Sequence, residues 1–276
     1  VQTNVFEPYI ADVEVDGGGL VVSTEYSSQV GMTTLGRIVR DIAIRTKVDP
    51  NKIAMGELAD TIVRGFMISG TYNSNNVLRS LQDTYLFDPA EFDGLTHLVP
   101  RGLPVVATIH EEDLIDEPTE ETRENAREYP QKLELFYQNP DVGYTTAKAT
   151  SERISPDYQL SGTKTMETPV TLIVDEAWQL ADKQMKVSWE EAKGNIVLKV
   201  SSDWDFLTPT DCIGFIRRGV GNRLRIHKVD KSGGVITLTC KFDRESAYRS
   251  DVIGLPVIPP TPPPSSITGE TIFQFL

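Results

Sequence analysis

Hydrophobic residues recur along this chain with two different periods, and the switches between them mark out the elements. Ile10 to Val15 and Leu20 to Val22 read as strands on either side of Gly17-Gly18-Gly19. The three glycines suit a hairpin turn better than a phosphate loop, because no helix start and no Gly-Lys-Ser/Thr sequence follows. From Thr33 or Thr34, either suited to cap a helix, Leu35, Ile38, Val39 and Ile42 recur at steps of three and four. That spacing puts them on one helical face. Pro50 disfavours helical backbone at Asp49 and is expected to close the helix. Leu58 to Ile68 is a short mixed stretch. Asn73 or Ser74 then caps a second helix carrying Val77, Leu78, Leu81 and Tyr85 inward. Asp93-Gly94 between Phe92 and Leu95 is a hairpin signal, and Leu103 to Ile109 continues as a strand. Residues 31–125 are therefore expected to form a small α+β unit with two helices packed on strands.

The second half has a different rhythm. Leu133 to Tyr137 and Tyr144 to Ile154 read as strands, and Thr168 to Val174 leads into one helix from about Asp175 to Trp189 with Ala177, Trp178, Ala181 and Met185 on one face. Strict alternation follows. Ile196, Leu198 and Val200 share a face of one strand, Leu224 and Ile226 of the next, and Ile236, Leu238, Cys240 and Phe242 of a third entered through Lys231-Ser232-Gly233-Gly234. Short strands with one crossing helix predict a mainly antiparallel β-barrel or sandwich with one helix over residues 126–255. Residues 1–30 are expected to be strands of a preceding domain. Residues 256–266 hold a proline-rich linker, stiff in the polyproline II conformation, and residues 267–276 begin a following strand region. A start at Val1 and a finish inside a strand-like run suggest the middle of a longer polypeptide.

Composition narrows the function classes. With 27 basic and 40 acidic side chains the formal charge is −13, so the average surface repels phosphate, and general DNA binding is disfavoured. No apolar run approaches the ~20 residues of a membrane-spanning helix. Cys212 and Cys240 lie in alternating apolar runs and read as buried small hydrophobes. His97, His110 and His227 have no Cys or carboxylate at metal-ligand spacing, so no zinc site and no cofactor is expected.

Charge is also unevenly placed. Glu111 to Glu134 holds ten acids against Arg123, Arg127 and Lys132, a net of −7. It lacks the calcium-loop pattern and any apolar frame that would tune a catalytic carboxylate, so it reads as a solvated connection. Against the trend, Arg217, Arg218, Arg223, Arg225, Lys228 and Lys231, opposed only by Asp230, give +5 around Gly219-Val220-Gly221-Asn222. Three readings of this hairpin stand open: a contact with the acids of a neighbouring subunit, which we favour, a solvated hairpin, or a phosphate contact. The candidate contact residues are Arg217, Arg218, Arg223, Arg225 and Lys228.

The order of segments resembles the central hub proteins of long-tailed bacteriophages and gene transfer agents, within the phage tail protein family. The resemblance is carried by Leu35 to Ile42, Val63 to Ile68, Val77 to Leu81, and the Phe92-Asp93-Gly94-Leu95 hairpin running into Val99-Pro100-Arg101-Gly102. It continues through Tyr129 to Tyr137, Asp141 to Tyr144, Pro169, Glu176-Ala177-Trp178, Leu207 to Asp211, Ile226 to Val229 and Val235 to Cys240. It spans roughly residues 33 to 255. No single motif is diagnostic; order and spacing carry the likeness. The sequence departs at Thr210, where a glycine before the aspartate is more usual, which bears on the local turn.

The resemblance implies a structural, non-enzymatic role in the virion, at the tail tip or baseplate, after assembly in the host cytoplasm. It implies a homotrimer that meets distal tail and tail-tube proteins and tip fibres or a spike. Such a hub lets DNA pass in transit, without specific nucleic-acid binding or direct membrane insertion. An acidic channel wall suits that passage, since exposed Lys or Arg would hold phosphate. Two alternatives are a cell-wall-degrading hydrolase and a receptor-binding module. For the hydrolase the nearest candidate acid is Glu176 beside Trp178, although positions two apart on a helix point in different directions. Tyr144, Tyr158 and Trp204 are the aromatic candidates for a receptor-binding loop.

Overall fold

The structure, a computed structural model, describes residues 32–67, 74–116, 119–122, 129–153 and 162–255. The expected first strands, the triple glycine, Asn73, Tyr158 and the proline-rich linker lie outside these residues.

The first helix, α1 (Leu35–Arg45), starts where the pattern places it: the Thr34 hydroxyl caps it by accepting from the Arg37 amide at 3.4 Å. Leu35, Val39, Ile42 and Ala43 form its buried face. It ends earlier than Pro50 requires, because Thr46 closes the last turn and Lys47 turns left-handed at φ 59°. Before it lies β1 (Thr33–Thr34), paired with β3 (Ile62–Val63). The second helix, α2 (Ser74–Tyr85), buries Val77 and Leu81, with Leu78 and Tyr85 partly buried. Strands β4 (Phe87–Phe92) and β5 (Leu95–Pro100) form the expected hairpin. Its turn residues Asp93 and Gly94 both have positive φ, 54° and 74°, which matches the right-handed twist of the flanking strands. The short β2 (Ile53–Ala54) completes this three-stranded sheet on the β5 side.

The strand after this hairpin does not stay in the small unit. Gly102 has a φ of 82° and lies against the Tyr248 ring, where a Cβ would sit 2.7 Å from a ring carbon. The chain turns there and β6 (Val105–His110) joins a distant strand in parallel. This corrects the expectation that Leu103 to Ile109 continues the α+β unit. Nothing in a strand's own period identifies its sheet partner.

Three strands then make a second small sheet in the order β10-β8-β9: β8 (Pro130–Asn139), β9 (Thr145–Glu152) and β10 (Gly162–Thr171). β10 breaks register between Glu167 and Thr171, and there Met67 and Thr171 donate amides to Pro169 and Gly65 carbonyls at 2.9 and 2.8 Å. A proline is tolerated at such an irregularity because no ladder bond depends on its missing N–H. Helix α3 (Val174–Glu191) covers β8 and β9 and buries Ala177, Ala181 and Met185, the two alanines being small enough for close approach. Leu35, Phe66, Leu81, Phe87, Leu133, Leu135 and Ala177 belong to one continuous apolar cluster. Each of the leucines and phenylalanines contributes about 1.5–3 kcal/mol by leaving water, and the alanine less.

The second cluster lies on one face of a six-stranded sheet in the order β6-β12-β13-β14-β11-β7. Its other members are β7 (Thr119–Thr122), β11 (Asn195–Ser201), β12 (Cys212–Arg217), β13 (Val220–Ser232) and β14 (Val235–Phe242). The expected faces appear together: Ile196 opposes Cys240, Leu198 opposes Leu238, and Val200 opposes Ile236. Gly233 and Gly234 turn β13 into β14 with φ of 60° and 81°. The sheet is not a closed barrel, and its architecture is α+β and sandwich-like. After β6 the Glu111–Asp113 turn carries the chain across to β11, where Leu114 bridges Val200. The second half is mainly antiparallel as expected, with the ladders β8/β10 and β6/β12 the parallel exceptions; in the first unit β2/β5 is parallel as well. The two clusters also divide the sequence differently from a boundary at 125/126. The first draws on residues 35–98 and 133–185, and the second on 109 together with 196–240.

Two positions in the connections test the backbone. Thr210 has a φ of 80° and donates its amide to the Ile226 carbonyl at 2.8 Å. A β-branched residue is strained in that conformation, and a glycine is not. Thr210→Gly is expected to raise the stability by about 0.5–1 kcal/mol, read as a higher midpoint of urea unfolding; a lower midpoint would contradict it. Beyond β14 the chain runs back along α3 as a strap. Ser250 donates to Asp182 at 2.6 Å and the Gly254 amide to Asp175 at 2.7 Å. A Cβ at Gly254 would lie 2.4 Å from the Val174 side chain and 2.8 Å from Trp178. Gly254→Ala is therefore expected to lift the strap, costing about 1–3 kcal/mol and exposing residues 249–255 to proteolysis. Unchanged cleavage would show that the strap is not held there.

Candidate functional site

The basic hairpin is the natural place to look for a site, and the structure distributes its cations rather than grouping them. On β13, Leu224 and Ile226 face the apolar cluster, so Arg223 and Arg225 face the opposite way, Arg225 toward β4 and the end of α3. Arg225 has only 8% of its side chain exposed. Its guanidinium donates to Asp88 Oδ2 and Glu191 Oε1, both at 2.6 Å. Arg101 donates to the same Asp88 at 2.7 and 3.0 Å, and Lys241 stands 3.7 Å from Glu191. Desolvation opposes the Arg225 charge, but Asp88, Tyr248, Glu191 and Asp243 outweigh it and hold its pKa above the ordinary arginine value. A planar fork presents separate donors to two carboxylates in a fixed geometry, which a single-point ammonium group matches less well. This junction joins the β4–β5 hairpin, α3 and the six-stranded sheet through charge.

Arg223 forms a second pair. It donates to Asp243 at 2.7 Å, whose other oxygen accepts from the Tyr248 hydroxyl. Cys212 lies 3.6 Å from the same carboxylate. Burial, then the Asp243 charge, pushes the Cys212 thiol up to about 11, and burial alone pushes Cys240 up to about 12. Both thiols are thus held neutral and covered. Neither is expected to react with an aromatic disulfide reagent at neutral pH until the chain unfolds, and rapid labelling of the native chain would contradict this.

The remaining hairpin cations lie elsewhere. Arg217 sits 3.7 Å from Glu111, and the Arg218 amide donates to that carboxylate at 3.3 Å. Lys228 is 64% exposed and pairs with Asp230 at 2.7 Å. Of the five candidate contact residues, Arg223 and Arg225 are engaged inside their own chain, Arg217 and Arg218 reach the acidic turn, and Lys228 faces solvent. The partners Asp88, Arg101, Glu191, Asp243 and Tyr248 were not singled out by the sequence. A signal was present: in Leu224-Arg225-Ile226 the arginine occupies the face opposite a buried apolar pair, and Cys212 across the ladder is apolar too.

Glu176, the candidate acid for hydrolysis, has a structural engagement. Its carboxylate accepts from Arg64 Nε at 3.0 and 3.1 Å and from the Ile173 amide at 3.2 Å, closing the first turn of α3. Among the described residues no group of three His, Cys, Asp or Glu side chains is placed to hold a metal ion. Trp204 and Phe206 lie with ring centroids 5.9 Å apart, and Phe206 is exposed.

The fold is thus that of an α+β protein in which two helix-covered small sheets share a core and a six-stranded sheet is attached through buried charge. Residues 73–229 match the family described as "Putative phage tail protein", more than half of the chain, and the chain belongs to that family. No curated protein sequence matches it. Among solved structures it is similar to a chain of the virion of a native gene transfer agent particle, at 17% identity and a TM-score of 0.71, covering 80% of this chain. It spans 50% of that protein's length. It is also similar to the tail protein from Neisseria meningitidis MC58, at 14% identity and a TM-score of 0.55, covering 78% of this chain and 69% of that one. The 43 kDa tail protein of prophage MuSo2 from Shewanella oneidensis gives 11% identity and a TM-score of 0.55, covering 79% and 67%. At these identities the likeness is one of fold.

Proposed function

We propose that this chain forms the structural hub of a phage tail tip or baseplate. In this reading copies of it make a ring at the end of the tail tube, anchor tip components and let DNA pass during infection. The observation that carries the proposal is the family match over residues 73–229. The fold shared with a virion chain of a gene transfer agent particle supports it. The charge of −13 per copy suits a wall along which DNA slides, because a ring of such copies repels phosphate. The role is non-enzymatic in this reading: the best candidate acid, Glu176, serves as a helix cap and an arginine partner.

The test is genetic. Particles made without this chain are expected to carry tubes that lack a finished tip and to be non-infectious, with both properties restored by the wild-type chain supplied in trans. Infectious particles of normal appearance in its absence would contradict the proposal.

A further inference from the structure

The hub reading needs a surface through which copies meet, and two cations of the basic hairpin, Arg223 and Arg225, are already bound to carboxylates of their own chain. A group of cations without ion pairs among the described residues lies on the outer face of α1. Arg37, Arg40 and Ile44 follow one another at steps of three and four, so they form one stripe, and Lys47 and Val48 extend it past the helix end. All five are exposed, Ile44 at 56% and Val48 at 48%. Among the described residues none of the three cations forms an ion pair; Asp60 lines the same groove as Arg37 and Arg40 without pairing to either. Two large apolar side chains between three cations make a helix face with no partner of its own.

A matching surface exists at the rim of the six-stranded sheet. The turn after β6 exposes Glu112 and Asp116 around Ile115, itself 49% exposed. Asp116 has one cationic neighbour, Lys199 at 3.0 Å, and Glu112 forms no ion pair among the described residues. The two surfaces belong to different cores: α1 packs on the first cluster, while the Glu111–Asp113 turn packs on β12 beside the second. Among the described residues no hydrogen bond or ion pair joins them within the chain.

We infer that the outer face of α1 docks the Glu112–Asp116 segment of a second copy of this chain. Ile115 would cover Ile44 and Val48, with Glu112 and Asp116 facing Arg37, Arg40 and Lys47. The contact is head-to-tail, because each copy presents both halves, and such contacts close into a ring when the rotation permits. Apolar burial supplies the affinity and the charges select the register, since exposed ion pairs are individually weak. The inference rests on the ring proposed above and names the surface that builds it.

The test uses two preparations of the full chain, one carrying Ile44→Cys and the other Ile115→Cys; the native thiols are buried and stay silent. Mixed at high concentration and low salt under mild oxidation, they are expected to give a disulfide between the two preparations, and sedimentation should show an oligomer. Arg37→Glu with Arg40→Glu should remove the cross-link and weaken self-association by about tenfold or more. Glu112→Lys with Asp116→Lys on the facing copy should restore both. An oligomer that forms without this cross-link overturns the surface and leaves the ring standing. A chain that stays monomeric to its solubility limit and gives no cross-link overturns the surface as well, and the ring is then decided by the particle itself.

Discussion

Arg225→Met is expected to lower the stability by about 3 kcal/mol, the low end of the ~3–5 kcal/mol seen when one partner of a buried ion pair is removed. Arg225 is almost fully buried, but Asp88 and Glu191 keep 24% and 28% exposure, so water shields the abandoned carboxylates in part. Arg101 also remains on Asp88, which leaves Glu191 the poorer of the two. Adding Glu191→Gln to Arg225→Met should therefore recover part of the loss, whereas Glu191→Gln alone should destabilise. Arg225→Lys should fall between, since one ammonium cannot reach both acids with good geometry. Urea unfolding of the four chains checks this through a double-mutant cycle. Additive losses would mean that Arg225 and Glu191 are not coupled, and the junction would then be misassigned.

A larger effect is expected in the apolar face of the six-stranded sheet. Leu238 is fully buried opposite Leu198, with Ile236 and Cys240 on the same face. Leu238→Asp places an unpaired carboxylate among hydrocarbon and is expected to remove ~5 kcal/mol or more, enough to unfold a domain of ordinary stability. Thr237 and Thr239 point the other way and are only half-buried. An aspartate at 239 would stand opposite Lys228, and one at 237 opposite both Lys199 and Asp230. Both substitutions are expected to stay within about 1 kcal/mol of wild type. Thermal melts of the three variants separate the faces; equal losses would mean that the strand period is misread.

Those two results bear on how much the sequence could reveal. Faces within an element were legible because side-chain direction follows from period alone: Leu35, Val39 and Ile42 on α1, and Ile236, Leu238 and Cys240 on β14. Turns were legible where the chemistry is local, as at Asp93-Gly94 and Gly233-Gly234, and the odd residue Thr210 does sit in a left-handed conformation. Partners were not. A strand such as β6 carries no mark of the sheet it will join, and its destination is set by the turn at Gly102 and by space beside β12. Charge was misleading for the same reason. Counting signs in the 217–231 hairpin gives a basic patch, but alternation sends Arg223 and Arg225 inward to acids more than a hundred residues away or on another element, such as Asp88 and Glu191. Conversely, the stripe on α1 looks unremarkable in a count, because Asp41, Asp49, Glu57 and Asp60 nearby mask three cations that form no ion pair among the described residues.

The central claim is a place and an arrangement: copies of this chain around the axis at the end of a tail tube. An image reconstruction of intact particles carrying a dense label on this chain tests it most directly. The account predicts label in a closed ring of equivalent copies, three of them in a trimer, centred on the tube axis at its distal end. Label found as a single copy, or away from the tail axis, would contradict it.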